Sequence, residues 1–441
     1  MWTAVVAVHF PNTLGWLIMR RLLDLFRAEP RARSFFALLT QSSFGTGAAY
    51  VALLLVAYDR FRSPWAISLV LVADLVPPML LGVVFGAAAD RWSRRTCAVV
   101  ADAARALAFV GIAMVESFPA TVAFALLAGA GTALFTPATL AALPSLVAER
   151  RLPLATSIYG AITDVGLAVG PALTAVFLLV AGPETVLAVN AATFAVSALF
   201  LARLDFGKRP EPADGRASPS GLFSEARAGL RAIRGIAGLP AVLGASAAAL
   251  FFGGLVNVAE LPFITGDLGA SEAAFSLVVA LVGLGIATGS LAGGRGGPLT
   301  RLRRRYLIGL LLIGVGFMGS GLAESLEVVL ATFLVAGFGN GLMLVYERLI
   351  VQATVEDRFA ARVFGVKDSL GAWAFAVSFV AAGGLVSALG PGKTILVAGG
   401  GVTLVALCAA ARLGEARVRG RVATASSSIP VETRIGGGGA G

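Results

Sequence analysis

The feature that most constrains this chain is a series of long apolar stretches separated by short polar breaks. A helix rises about 1.5 Å per residue, so about 20 apolar residues cross a hydrocarbon core about 30 Å thick. The sequence therefore predicts an all-α membrane protein with twelve transmembrane helices. The predicted spans are 34–57, 64–87, 96–116, 119–142, 153–181, 184–203, 237–262, 272–293, 306–323, 326–347, 362–389 and 392–412.

The composition fits a chain whose main solvent is lipid. Hydrophobic residues make up 57% of the chain and charged residues only 14%, whereas soluble domains average about 45–50% and about 25%. The net charge of +10 comes almost entirely from arginine, because Lys208, Lys367 and Lys393 are the only lysines. The arginines lie in short breaks rather than on a basic face with interleaved aromatics, so we predict a lipid bilayer and no nucleic acid as partner.

The positions of the cationic residues predict the orientation. If both termini are cytoplasmic, only Arg60, Arg62 and Lys393 fall on the outer side. Since cytoplasmic loops carry an excess of lysine and arginine, we predict cytoplasmic termini. The expected location is the cell (inner or plasma) membrane, with multiple spans.

A polar interval at 204–236 divides the spans into two sets of six. Prolines, glycine and serines near its start predict a solvated linker, and the arginine-bearing stretch 224–236 predicts an amphipathic helix on the inner leaflet. The predicted domains are a cytoplasmic N-terminal tail (1–33, disordered or with an interfacial helix), an N-terminal six-helix half (34–203), the linker (204–236), a C-terminal six-helix half (237–412) and a disordered cytoplasmic tail (413–441).

The two predicted halves also resemble each other in sequence. Ile-Tyr-Gly at 158–160, which opens the fifth span, is matched by Val-Phe-Gly at 363–365, which opens the eleventh. The loops after the second and eighth spans both place glycines before an arginine cluster. Repeated halves with a binding site at their interface are typical of secondary transporters, so we expect two pseudo-symmetric halves.

Ionisable side chains interrupt several predicted spans, at a cost of about 2.5–3.5 kcal/mol each at mid-bilayer. Asp74, just before Pro77 and Pro78, is the first choice for a protonatable or substrate-facing group; its alternative is an aspartate that reaches outer headgroup water. Asp164 is predicted to face the bundle interior, with pairing to a cytoplasmic-side arginine as the alternative. The remaining candidates are Asp368, Glu260 and Glu347, and the two glutamates could instead be interfacial.

Uncharged polar side chains predict a cavity lining, with helix–helix hydrogen bonding as the alternative. These residues are Gln41, Ser43, Thr46, Tyr50, Asn257 and Asn340. Asp102 and Arg105 lie one turn apart and are predicted to pair with each other. The glycines of the fifth and eighth spans predict close contacts between helices.

The loop between the second and third spans carries a recognisable motif, Gly86-x-x-x-Asp90-Arg91-x-x-Arg94-Arg95. It resembles the signature loop of the major facilitator superfamily, with a serine at 93 where the family usually has glycine. The drug-exporter branch, which includes macrolide-efflux and enterobactin-exporter-like proteins, is similar over roughly 33–412. That likeness is carried by Asp102-x-x-Arg105-Ala106-Leu107, Leu143-Pro144-Ser145-Leu146-Val147 and Gly170-Pro171-Ala172-Leu173.

The resemblance implies a major-facilitator-type fold and a conformational latch. In such a latch, Asp90 would face the N-terminus of the eleventh helix, near Arg362, with Gly86, Arg91, Arg94 and Arg95 completing the motif. The alternative is that these arginines only anchor the topology. Two departures stand out: the loop after the eighth span lacks an aspartate, and the fourth span has no arginine, which many drug/proton antiporters carry there.

The sequence offers no parts for cofactor or metal chemistry. Cys97 and Cys408 are far apart, and His9 is the only histidine. We therefore expect no enzyme, cofactor or metal site. The resemblance, together with the repeated halves and the few intramembrane charges, implies a monomeric, proton-coupled exporter of a small hydrophobic or amphipathic compound working by alternating access. The alternatives are an importer or lipid-like solute carrier and, in another class, a membrane-embedded enzyme or a non-transporting receptor.

Overall fold

The computed structural model describes residues 24–204, 219–294 and 296–427. These residues form helices and short connections, without a β-strand among them. Eleven helices in the described part are long and apolar enough to cross a membrane. The predicted tail at 1–19 and most of the polar linker lie outside the described residues.

The helices follow the predicted spans closely, and many begin with proline, which suits the first helical turn because it lacks an N–H. The N-terminal half contains α1 (Pro30–Phe61), α2 (Pro64–Arg91), α3 (Arg94–Met114), α4 (Phe118–Leu146), α5 (Leu152–Phe177) and α6 (Pro183–Arg203). The linker contributes α7 (Pro219–Gly235). The C-terminal half contains α8 (Leu239–Pro262), α9 (Glu272–Gly293), α10 (Leu299–Gly321), α11 (Leu326–Thr354), α12 (Asp357–Leu389) and α13 (Pro391–Ser427).

Helix α10 occupies the place of the ninth predicted span but is not among the eleven membrane-length apolar helices. Its first two turns carry Arg301, Arg303, Arg304 and Arg305, which shorten its apolar part. The crossing of the membrane by all twelve predicted spans therefore stays a prediction.

The two halves repeat one packing pattern. In the N-terminal half α1 packs on α5 and α6, α2 on α4, and α3 on α4 and α6. In the C-terminal half α8 packs on α12 and α13, α9 on α11, and α10 on α11 and α13. The halves thus correspond helix by helix, from α1 with α8 to α6 with α13. Under this correspondence the two main contacts between the halves, α5 with α9 and α2 with α12, are equivalent to each other. The predicted pseudo-symmetry of the two halves is therefore visible in their helix packing, while six membrane spans in each half stay a prediction.

Glycines let particular helices approach to backbone contact, as predicted. A Cβ added at Gly166 of α5 would lie 2.6 Å from the Ser43 carbonyl carbon of α1, and one at Gly170 would lie 2.3 Å from that of Gly47. Between the halves, a Cβ at Gly283 of α9 would lie 2.8 Å from the Ala168 carbonyl oxygen of α5. A side chain at these positions would force the helices apart.

The structure moves two domain boundaries. The N-terminal half starts before residue 34: α1 begins at Pro30, Leu25 is buried, and Glu29 pairs with Arg151 at 2.9 Å. At the other end α13 continues to Ser427, although the tail from 413 was expected to be disordered. Glu415, Ala416 and two arginines in the first eight residues of that tail favour helix, although Gly414 and Gly420 do not.

Buried apolar packing differs between the two ends of the bundle, named here the linker end, next to α7, and the far end. At the far end one cluster joins both halves, bringing Leu55 and Leu71 of α1 and α2 against Leu255 of α8 and Phe379 of α12. Among the described residues, the clusters nearest the linker end each stay on one side of the interface. Among the residues that the structure describes, shared apolar packing therefore joins the halves at the far end and not at the linker end.

Candidate functional site

A cavity of about 320 Å³ lies at the interface of the two halves, within the range of about 300–1,000 Å³ typical of small-molecule sites. The N-terminal half contributes Leu75, the neighbour of Asp74 on α2. The C-terminal half contributes Ser246, Leu250, Met343, Leu344, Glu347, Lys367, Asp368, Gly371, Ala372 and Phe375. The wall is thus mostly apolar, with charged groups gathered on α11 and α12.

The charged part of the cavity contains two carboxylates and one ammonium. Lys367 Nζ lies 3.7 Å from Glu347 Oε2 and 3.3 Å from Asp368 Oδ1. Glu347 is only 2% exposed, and its second oxygen, Oε1, has no hydrogen-bond partner. Asp368, by contrast, has a side chain that is 72% exposed. Lys367 thus sits between the two acids.

A short hydrogen-bond chain fixes the serine beside this cluster. The Tyr306 hydroxyl donates to the Val242 carbonyl at 2.8 Å. The Ser246 hydroxyl lies 2.9 Å from the Tyr306 oxygen, and either of the two can be the donor. Ser246 therefore lies between Tyr306 and the Glu347 carboxylate at the cavity wall.

Asp74, Tyr50 and Glu260 form a second group of polar residues where the halves meet. Asp74 and Tyr50 are half-buried on α2 and α1, whereas Glu260 of α8 is buried. The charges of both acids act on the Tyr50 hydroxyl. Gly129 of α4 allows this approach on one side, because a Cβ there would lie 2.3 Å from the Asp74 carbonyl oxygen.

Asp102 and Arg105 pair with each other, as predicted, but in a fully buried setting. Their ion pair lies between α3, α4 and α6, with the Arg105 guanidinium 4.0 Å from the Phe135 ring centroid and 4.3 Å from that of Phe194. Helix α4 contacts both Arg105 and Asp74: a Cβ at Gly131 would lie 2.6 Å from Arg105 Cγ, and one at Gly129 would lie 2.3 Å from the Asp74 carbonyl oxygen. The N-terminal half thus carries its buried arginine on α3 rather than on α4, and sequence spacing alone did not reveal this shared contact with α4.

The other predicted polar residues differ in their contacts and exposure. The Gln41 amide donates to the Thr193 carbonyl of α6 at 3.1 Å, and Ser43 packs on Gly166. Thr46 and Asp164 are exposed, while Asn257 and Asn340 are half-buried. Asp164 lies on the linker-end part of α5, outside the cavity lining described above.

Only part of the predicted latch lies among the residues whose side chains the structure describes. The side chains of Gly86, Asp90 and Arg91 lie outside it, although their backbone belongs to α2. Arg94 and Arg95 form the first turn of α3, and Ser93 caps that helix by accepting a hydrogen bond from the Thr96 N–H at 3.0 Å. The serine that replaces the usual family glycine therefore has a local role, because such caps stabilise helices by about 1 kcal/mol.

Within the described ranges, no cluster of three or more histidine, cysteine, aspartate or glutamate side chains could hold a metal ion. Cys97 is buried and Cys408 exposed, and they form no disulfide. His9 lies outside the described residues. The chemistry that the described side chains offer is therefore ionic pairing, hydrogen bonding and apolar contact.

Membrane-length helices in two equivalent halves, with a charged cavity between them, define a polytopic membrane transporter. The sequence model of the Major Facilitator Superfamily matches residues 35–258, over half of the chain. The chain belongs to the major facilitator superfamily and is a multi-pass protein of the cell membrane.

Similar proteins of known or proposed role are transporters rather than enzymes. The multidrug efflux pump Tap of Mycobacterium tuberculosis is 25% identical over 389 residues, covering 84% of this chain and 91% of Tap. The enterobactin exporter EntS of Salmonella typhimurium is 25% identical over 420 residues, covering 92% and 97%. An uncharacterized MFS-type transporter of Bacillus subtilis, YfiS, is 25% identical over 383 residues, covering 85% and 91%.

Solved structures share the fold at low sequence identity. The nucleoside transporter NupG superposes with a TM-score of 0.68 at 12% identity, covering 87% of this chain and 98% of NupG. A bacterial homolog of the human lysosomal transporter Spinster, in an inward-facing and unoccupied conformation, gives 0.62 at 15% identity, covering 88% and 96%.

Proposed function

We propose that this transporter is a proton-coupled exporter that moves a small hydrophobic or amphipathic compound by alternating access, as a monomer. The observation that carries the proposal is the cavity between the halves, whose wall combines apolar side chains with the buried carboxylate of Glu347. An ionisable group inside a membrane is costly and marks a functional site by default.

The uneven sealing of the two ends supports the alternating part of this proposal. The halves share one apolar cluster at the far end, while the linker end, cytoplasmic by the arginine distribution, has no such shared cluster among the described residues. At Gly160 and Gly365, the matched glycines of α5 and α12, an added Cβ would meet nothing within 4 Å. Rocking of the halves would close this space and open the far end.

Coupling to protons requires a carboxylate that is neutral in one state and charged in the other. Asp74 fits this role best, because it lies beside the cavity-lining Leu75 and near the hydroxyl of Tyr50 and the charge of Arg105. When the halves tilt, α2 slides relative to α12, so the surroundings of Asp74 change with the state. Glu260, buried on α8, is the second candidate.

The direction and the substrate class are proposed from the relatives together with the cavity. Tap is named as a multidrug efflux pump and EntS as an enterobactin exporter. An apolar wall with few charged groups suits amphipathic molecules better than sugars or strongly charged metabolites.

The test is transport by purified protein in proteoliposomes with an imposed pH gradient. We expect accumulation of a fluorescent amphipathic compound that collapses when a protonophore removes the gradient. Asp74→Asn should abolish gradient-driven accumulation but still allow the compound to equilibrate across the membrane. Glu324→Gln, in an exposed far-end connection, is the matched control and should behave like the unmodified protein. Accumulation that survives the protonophore would refute proton coupling.

A further inference from the structure

We propose that the cavity beside Glu347 binds the protonated amino group of an amphipathic amine. This inference rests on the proposed function, because it assigns a substrate class to the transport cavity. It combines the charge balance of three side chains, an unused carboxylate oxygen and the apolar wall opposite them.

The polar groups of the cavity have more acceptors than donors. Glu347 Oε1 is buried without a hydrogen-bond partner, and each of the two carboxylates offers two acceptor oxygens to a single ammonium. The Asp368 carboxylate is largely exposed. A buried carboxylate oxygen without a donor is costly, so a ligand that brings N–H groups gains the hydrogen bond that the protein leaves unmade.

The charges favour a cation over an anion. With all three groups ionised, two carboxylates face one ammonium, which leaves the cluster at a net charge of −1. An anionic ligand attracted by Lys367 would also meet Glu347 and Asp368. A protonated amine meets attraction from both acids and supplies donors as well as charge.

Lys367 already supplies one protonated amine to this cluster from within the protein. Its ammonium lies 3.7 Å from Glu347 Oε2, which is beyond the 2.7–3.2 Å of an ordinary N–H···O hydrogen bond. It remains 24% exposed. The lysine therefore balances the charge of Glu347 without satisfying it. Oε1 is buried in this state, and a rotation of the Glu347 side chain would turn it toward the cavity that the residue lines.

The rest of the cavity accommodates an apolar body. Leu75 of the N-terminal half lies opposite Leu250 and Met343 of the C-terminal half, and Phe375 closes one side. The Phe375 ring is held edge-on to Phe379, with centroids 4.9 Å apart. A ligand with its amine on α11 and its apolar part on Leu75 would touch both halves, as a transported compound must.

The experiment compares two fluorescent probes of matched shape, dansylcadaverine and its N-acetyl derivative, which lacks the cationic amine. With purified unmodified protein we expect the amine to bind at least about tenfold more tightly than the neutral probe, as a charge-assisted hydrogen bond predicts. Glu347→Gln should remove that preference. Glu327→Gln changes the same charge on the same helix, outside the cavity lining, and should keep it.

Two further variants keep the test decisive if Glu347→Gln does not fold. Asp368→Asn should weaken amine binding about threefold, and Lys367→Met should tighten it, because each shifts the cluster charge by one in a known direction. Equal binding of both probes by the unmodified protein overturns the proposal. So does a preference that persists in Glu347→Gln, or unchanged amine affinity in both Asp368→Asn and Lys367→Met.

Transport of the same probes separates this proposal from the function that it rests on. If the amine binds as expected but no compound crosses proteoliposomes under a pH gradient, the subsite stands and the exporter proposal fails. If another amphipathic compound is transported and the two probes bind alike, the exporter proposal stands and the amine subsite fails.

Discussion

In the N-terminal half, Asp102 and Arg105 form an ion pair that is at most 5% exposed and enclosed by two aromatic rings. In the C-terminal half, Lys367 pairs with Glu347 at the wall of a cavity, and one Glu347 oxygen has no partner. Both pairs are made by spanning helices, so both carry the cost of charge in a membrane. Asp102 Oδ2 is likewise buried without a hydrogen-bond partner, so the two pairs differ in their surroundings instead: aromatic rings enclose the first, and the second borders a cavity. We therefore assign a structural role to the first pair and the proposed ligand site to the second.

The largest expected effect separates the two pairs by stability. Arg105→Met should lower the free energy of unfolding by about 3–5 kcal/mol, because it leaves Asp102 as an uncompensated buried charge. Lys367→Met should cost less, about 1–3 kcal/mol: it also leaves buried Glu347 without its counter-ion, but the ion pair is long at 3.7 Å and the ammonium is 24% exposed. Thermal unfolding in detergent measures both, and equal losses would break the comparison.

A double substitution sharpens the same contrast. Replacing the whole enclosed pair, Asp102→Leu with Arg105→Met, should recover about 2–3 kcal/mol of the loss caused by Arg105→Met alone, because apolar groups can replace a buried ion pair at little cost. A double-mutant cycle on unfolding measures this recovery. Additive losses would mean that the two side chains act independently.

Added methyl groups probe how closely each pair is packed. A Cβ at Gly131 would lie 2.6 Å from Arg105 Cγ and 2.9 Å from the Ala101 carbonyl oxygen, so Gly131→Ala should cost about 1–3 kcal/mol. At Gly371, on the cavity wall, a Cβ would meet only the flexible end of Leu250. Gly371→Ala should therefore leave the melting temperature nearly unchanged while weakening probe binding. A stable Gly131→Ala variant would contradict the tight enclosure of Arg105.

The smallest expected effect is on the exposed member of the cavity cluster. Asp368→Asn should change the free energy of unfolding by no more than about 0.5 kcal/mol, because its side chain is 72% exposed. Chemical denaturation followed by circular dichroism provides the measurement. A loss above 1 kcal/mol would place Asp368 with the structural pair of the N-terminal half.

The fold was largely predictable, because lipid imposes a length on each apolar stretch and the linker separates two matched sets. The helix breaks at Pro64, Pro183 and Pro391 fall where polar turns and prolines predicted them. The end of α13 at Ser427 was not predicted. The charged residues after 412 suggest a solvated tail, whereas several of the same residues also favour helix.

The candidate site was predictable only in part. Sequence identified Glu347 and Asp368 as intramembrane acids, but their shared contact with Lys367 depends on the register of α11 against α12. It also could not tell that Gln41 is engaged with α6 rather than with solvent. Helical spacing fixes which residues share one face, whereas the rotation of each helix is decided by its neighbours.

The contact of Gly283 with Ala168 joins α9 to α5 near the middle of both helices. Because these backbones touch, any side chain larger than hydrogen at position 283 would push the two halves apart at this point. In the proposed rocking motion this contact would be the pivot, about which one end closes as the other opens.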